Sequence, residues 1–205
     1  MSSMIHGAVV NGLKSIPVIV EVDLLPRIPS VSIVGLPNHA VKESIERVRS
    51  AIVASGYEFP RKRVVINLAP ADLPKGGTGL DLPIAMGILA ASEQISHDLA
   101  NFIFAGELSL SGDLRPIIGA LAFSQLAKKT GRTLVLPMKS ASIATLISDV
   151  QIKSATSLST AIAQIGPSTA DSPPQSPPVR KGITYPDMKD VKGQFLARRA
   201  LEISA

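Results

Sequence analysis

The sequence predicts an α/β (α+β) domain, a mixed sheet with helices packed on it. Three observations carry this. Short β-rich runs dominate the first third of the chain, and helical periods alternate with short apolar runs after it. Hydrophobic residues make up 45% of the 205, too high a share for a disordered chain.

The elements follow in order. Val18, Val20 and Val22 alternate with Ile19, Glu21 and Asp23, which gives a strand with one dry face. Val31 to Leu36 is β-rich and stops at Pro37. Asn38 can then cap a helix running through Ser55, with Val41, Ile45, Val48 and Ile52 at helical spacing and Gly56 as its stop. Arg63 to Leu68 is a strand. Asp81 can cap a second helix, with Pro83 in its first turn. That helix is nearly all apolar, hence central. Phe102 to Leu110 reads as one strand and Ser111–Asp113 as a turn. Helix 119–129, strand 134–136, helix 141–147, strand 150–153 and helix 158–165 complete the body.

Proline divides the chain. Six of its 16 prolines fall between Gly166 and Pro186, in a stretch with few large apolar residues. It reads as a semi-rigid linker. The organisation is therefore a body over 1–165, a linker over 166–186 and a separate element over 187–205.

Composition excludes several chemistries. With no cysteine there is no disulfide, thiolate zinc site, iron–sulfur cluster or Cys nucleophile. His6, His39 and His97 form no ligand spacing, so no metal site is expected. The N-terminus has no signal-peptide pattern, and no run approaches a membrane span. A cytoplasmic protein without membrane contact is expected. A net charge of +5 allows nucleic-acid contact without indicating it.

Three motifs stand out. Leu73 to Asp81 (LPKGGTGLD) follows a strand and opens a helix, where backbone N–H groups can receive an anion. Lys75 precedes the glycines, so this is not a Walker A loop, and a tight β–α connection explains it equally. Glu107 is a strand-end acid with no local partner, and reads as a member of a polar network. Arg61, Lys62 and Arg63, beside Tyr57 and Phe59, are either phosphate contacts with an aromatic for stacking or a solvated turn.

The segments VSIVGLPNHAVKESIERVRSAI, SGYEFPRKRVVINLAPADLPKGGTGLDLPIAMGILAAS and FAGELSLSGDLRPIIGAL, in this order, resemble the N-terminal region of the ComM/YifB family of magnesium-chelatase-like AAA+ ATPases. The resemblance covers about residues 5–165. It implies a Lon protease-like, two-layer fold, shared with a ribosomal-protein domain. It also permits a test for peptidase chemistry. The Lon loop P-K-D-G-P-S-A-G aligns with Pro74 to Asp81 and puts Gly79 at the nucleophile position. The later Lon stretch aligns with Gly106 to Leu121 and puts Leu121 at the lysine position. A Ser–Lys dyad needs a hydroxyl and an amine, and these residues supply neither. The resemblance therefore implies a Lon-like fold with no catalytic residues, Lys75 and Glu107 being framework positions.

The tail DMKDVKGQ followed by a helix over 194–203 resembles the entry to an AAA+ module. Val191 and Gly193 match positions that border the adenine there. No Walker A motif follows within the sequence, so the expectation is a module truncated before it. ATP and Mg²⁺ are implied only for an absent motor, and no cofactor for this chain. The expected role is assembly, partner contact or DNA guidance toward a motor that remodels DNA in natural transformation. Candidate DNA or anion contacts are Arg61, Lys62, Arg63 and Lys75. The expected partners are DNA, an AAA+ motor subunit or a second copy. Two alternatives stay open: a Lon-like peptidase with a displaced nucleophile such as Thr78, and a non-functional remnant of a truncated gene.

Overall fold

The computed structural model describes residues 2–73, 75–166 and 187–204. The chain starts with a hairpin of β1 (Ser2–Asn11) and β2 (Lys14–Leu25), paired antiparallel along their whole length. Its two-residue turn carries Gly12 at φ +61°, the positive φ that a tight hairpin needs at its first loop position. On β2, Val18, Val20, Val22 and Leu24 are buried and the intervening residues are not, as the alternation predicts. β1 lacks such clean alternation, since Gly7, Ala8 and Val9 are all buried.

β3 (Ser30–Val34) pairs parallel with β4 (Arg63–Ala69), which pairs antiparallel with β2. β5 (Phe102–Phe104), β8 (Thr133–Pro137) and β9 (Ile152–Ala155) extend the sheet from β1 in parallel. The order is β3-β4-β2-β1-β5-β8-β9, a seven-stranded mixed sheet. β6 (Glu107–Leu108) and β7 (Leu114–Arg115) form a separate small ribbon.

On one face α1 (His39–Ala54), α2 (Asp81–Ala91) and α5 (Leu158–Ala163) share a core with β2 and β4. Behind the β1-β5-β8 half, α3 (Ala120–Thr130) and α4 (Met138–Ala144) enclose a second cluster around Phe123, Ile103 and Leu134. The fold is thus α/β, with helices on both faces of one half of the sheet and on one face of the other. The far face of β4 and β2 is wetter, and there Asn67 donates to Glu21 at 2.8 Å.

Asn38 caps α1 as expected, its Oδ1 accepting from Val41 N at 3.0 Å. Every residue of α2 but Ala90 is buried, which makes it the central helix.

The single strand expected over Phe102–Leu110 is broken. Gly106 N donates to Gly79 O and Gly106 O accepts from Leu82 N, both at 3.0 Å. These bonds pin the chain to the start of α2, and β6 leaves the sheet. α4 starts and ends three residues earlier than expected, at Met138 and Ala144. β9 starts two residues late, at Ile152, because its register is fixed by β8.

The expected linker lies, from residue 167 to 186, outside the described residues. A short 3-10 turn (Met188–Asp190) and α6 (Phe195–Ser204) follow, and neither buries a residue. No helix among the described residues is long and apolar enough to cross a membrane.

Candidate functional site

The glycine loop, the end of β1 and the Pro116–Ile118 approach to α3 enclose a cleft of about 350 Å³. Gly76 to Gly79 form one wall, Ala8 to Val10 another, and Glu107 contributes the one carboxylate. Thr78 supplies a hydroxyl, and among the described residues no lysine, arginine or histidine lines the cleft. Gly79 lies in the wall, and a Cβ there would meet nothing within 4 Å. Leu121 sits in the first turn of α3, 40% exposed. Among the described residues the cleft therefore offers the Thr78 hydroxyl no amine to act as the base of a Ser–Lys-type dyad.

Beneath the cleft lies a polar network that joins four elements. Arg47 of α1 forks onto Asp81 of α2, Nε to Oδ2 at 2.8 Å and Nη2 to Oδ1 at 3.1 Å. Leu108 N of β6 donates to Asp81 Oδ2 at 3.2 Å. Arg115 of β7 pairs with Glu107 at 3.3 Å. Glu107 thus joins a polar network, as its strand-end position suggested, and its partner lies eight residues on.

The Asp81 carboxylate is 1% exposed and the Arg47 side chain 21%. Burial pushes the Asp81 carboxyl up to about 6, against the hydrogen bond and charge of Arg47 and the Leu108 N–H. The Arg47 guanidinium is raised by its bond to Asp81. The two shifts point opposite ways for the pair. Burial prevails at the carboxylate, which has almost no water, and pairing prevails at the wetter guanidinium.

Asp81 is where the sequence reading needs correction. It does not cap α2 but is its first residue, and the preceding Leu80 makes no side-chain cap. The signal that marks a cap, an acid before an apolar helix, also fits an acid whose partner lies 34 residues away.

The four candidate basic residues do not come together. Arg61 and Lys62 are exposed and Arg63 is half-buried, with its Nε buried and unpartnered. Arg61 and Lys62 precede β4 and Arg63 opens it, whereas Lys75 lies beyond its other end, ~20 Å of strand away at 3.3 Å per residue. Lys75 is itself only 1% exposed, so it is not a surface contact for DNA.

Tyr57 and Phe59 pack half-buried against the core, and Arg49 sits 4.4 Å over the Phe59 ring. That ring face is occupied by a cation and not free for a base. Val191 and Gly193 are exposed beside the 3-10 turn, Gly193 with φ +73°. Among the described residues no cluster of three or more His, Asp or Glu could hold a metal.

The family described as subunit ChlI of Mg-chelatase matches residues 20–140. The YifB proteins of Salmonella typhimurium and Escherichia coli are each 40% identical to this chain over 99% of it. The competence protein ComM of Haemophilus influenzae is 38% identical over 99%. The chain spans about 40% of the length of these curated relatives. The match over residues 20–140 spans more than half of the chain, and the chain belongs to the ComM/YifB family of magnesium-chelatase-like proteins.

Proposed function

We propose that this chain is a non-catalytic, Lon-like N-terminal domain that works by binding, in a protein that remodels DNA. The observation that carries the non-catalytic part is the cleft wall, with Gly79 in it, Thr78 unaided and no amine. The name of one relative, a competence protein, supports a DNA-linked role. The DNA contact falls to Arg61 and Lys62, exposed at the start of β4, with Arg63 behind them. Assembly with an AAA+ motor or a second copy is the accompanying role, and Val191 and Gly193 border its nucleotide pocket. This segment takes no cofactor of its own. ATP and Mg²⁺ belong to the motor, and the protein works in the cytoplasm.

Binding of single- and double-stranded DNA across a salt series tests the reading. Neutralising Arg61 and Lys62 lowers the slope of log K against log salt by about 0.9 per lost phosphate contact on duplex DNA. Neutralising Lys75 leaves the slope unchanged, because its amine does not reach the surface. Absence of salt-dependent binding, or an unchanged slope in the Arg61/Lys62 variant, overturns the DNA contact.

A further inference from the structure

A second recess lies behind the glycine loop and shares Val9, Val10 and Gly76 with the cleft. It holds about 350 Å³. One side is mainly apolar, from Val9, Val10 and Ile16 with Asn11 at its edge, and the other is polar, from Asn38, Lys75 and Gly76. Its geometry is held by a crossover. Lys75 N donates to Leu36 O at 3.1 Å and Asn38 N donates to Lys75 O at 3.0 Å.

Three donors of this recess have no acceptor among the described residues. Lys75 Nζ is buried with no hydrogen-bond partner. Asn38 uses its Oδ1 on Val41 N, which leaves its Nδ2 as a donor. That nitrogen lies against Gly76, 3.0 Å from where a Cβ would stand. The backbone N–H of Gly76 donates to no group among the described residues. The recess also opens at the N-terminus of the 16-residue α1, where the helix dipole favours negative charge. A buried amine without a hydrogen-bond partner is costly to a fold, and the charge of Asp72 offsets that cost only in part.

We propose that this recess binds a small organic oxyanion, a carboxylate or phosphate ester, with its head on Lys75 Nζ and the Asn38 amide and its apolar body along Val9, Val10 and Ile16. Donors on one side and an apolar wall on the other suit a ligand that carries both characters. Burial lowers the Lys75 amine against the opposing charge of Asp72, and an anion beside it favours its charged form. Glu107, the acid of the adjoining cleft, is engaged by Arg115.

The test is thermal unfolding of the full chain in inorganic phosphate, acetate and butyrate, each against sodium chloride of equal ionic strength. At about tenfold Kd the native chain gains about 3–6 °C in Tm over the chloride control. Lys75→Met unfolds at a higher temperature in chloride, since the orphaned amine is gone, and shows no anion-specific gain. Butyrate exceeding acetate identifies an organic acid, and a response to phosphate alone identifies a phosphate ester. Equal gains in both proteins, or no gain in the native chain, overturn the site. Should Lys75→Met fail to fold, the Lys75 side-chain NMR resonance of the native chain decides, because it moves on binding and an unmoved resonance refutes the proposal. The Arg61/Lys62 variant keeps the anion response, so failure of DNA binding and failure of this site are read separately.

Discussion

Asp81 couples charge to folding at a single residue. Its folded-state value of about 6 stands above its ordinary 3.8, so the folded chain holds the extra proton between those values. Its contribution is fully present below about pH 3.8 and is lost as pH rises through 6. Denaturant titrations across this range should show Asp81→Asn lacking that component, with the native chain's stability relative to the variant falling from pH 4 to pH 7. Removing the partner acts differently. Arg47→Met strands a buried carboxylate and should cost about 3–5 kcal/mol at pH 7. Gly79→Ser is the mild counterpart. Open space surrounds its Cβ, so stability should stay within about 0.5 kcal/mol. The new serine should remain unlabelled by a serine-directed covalent probe, because the cleft offers it no amine. Labelling of that variant would revive a peptidase reading.

At the scale of elements, local signals and long-range contacts divide the work. α1 is locally specified by its Asn38 cap, its apolar period and the Gly56 stop. Asn38→Ala should therefore cost about 1 kcal/mol, read as a shift in the denaturation midpoint. The turn after β3 is specified by approach. Gly35 has φ +93°, and a Cβ there would stand 2.2 Å from Leu68 O of β4. Gly35→Ala should destabilise the chain by roughly 1–3 kcal/mol from backbone strain, and more from the clash. β6 was invisible in sequence as a separate strand. Phe102 to Leu110 keeps β-like residues throughout, and only contact of Gly106 with the start of α2 breaks the run.

Across the whole molecule, stability is concentrated in the central sheet and α2. Amides of β2, β4 and α2 should exchange slowest, through global unfolding. Those of α6 should exchange within the fastest class, because the helix is 10 residues long and buries none of them. Slow exchange in α6 would mean a partner covers Phe195, Leu196 and Ile203, which are exposed.

The sequence by itself determined the types of most elements after β1, the α/β class, the dry face of β2, the central position of α2 and the family. Each follows from period, capping chemistry or an ordered run of residues, which act over a few positions. It also established that Gly79 and Leu121 stand where a hydroxyl and an amine would be needed. Only the tertiary structure decided the partners. Asp81 could be a cap or an ion-pair member until Arg47 was beside it. Lys75 looked like a surface cation of one patch until β4 carried it away from Arg61–Arg63 and the Pro37 crossover buried it. Charge and hydrogen-bonding capacity are written in the residue type. Desolvation, which turns them into a shifted carboxyl or an orphaned amine, depends on neighbours that are distant in the chain.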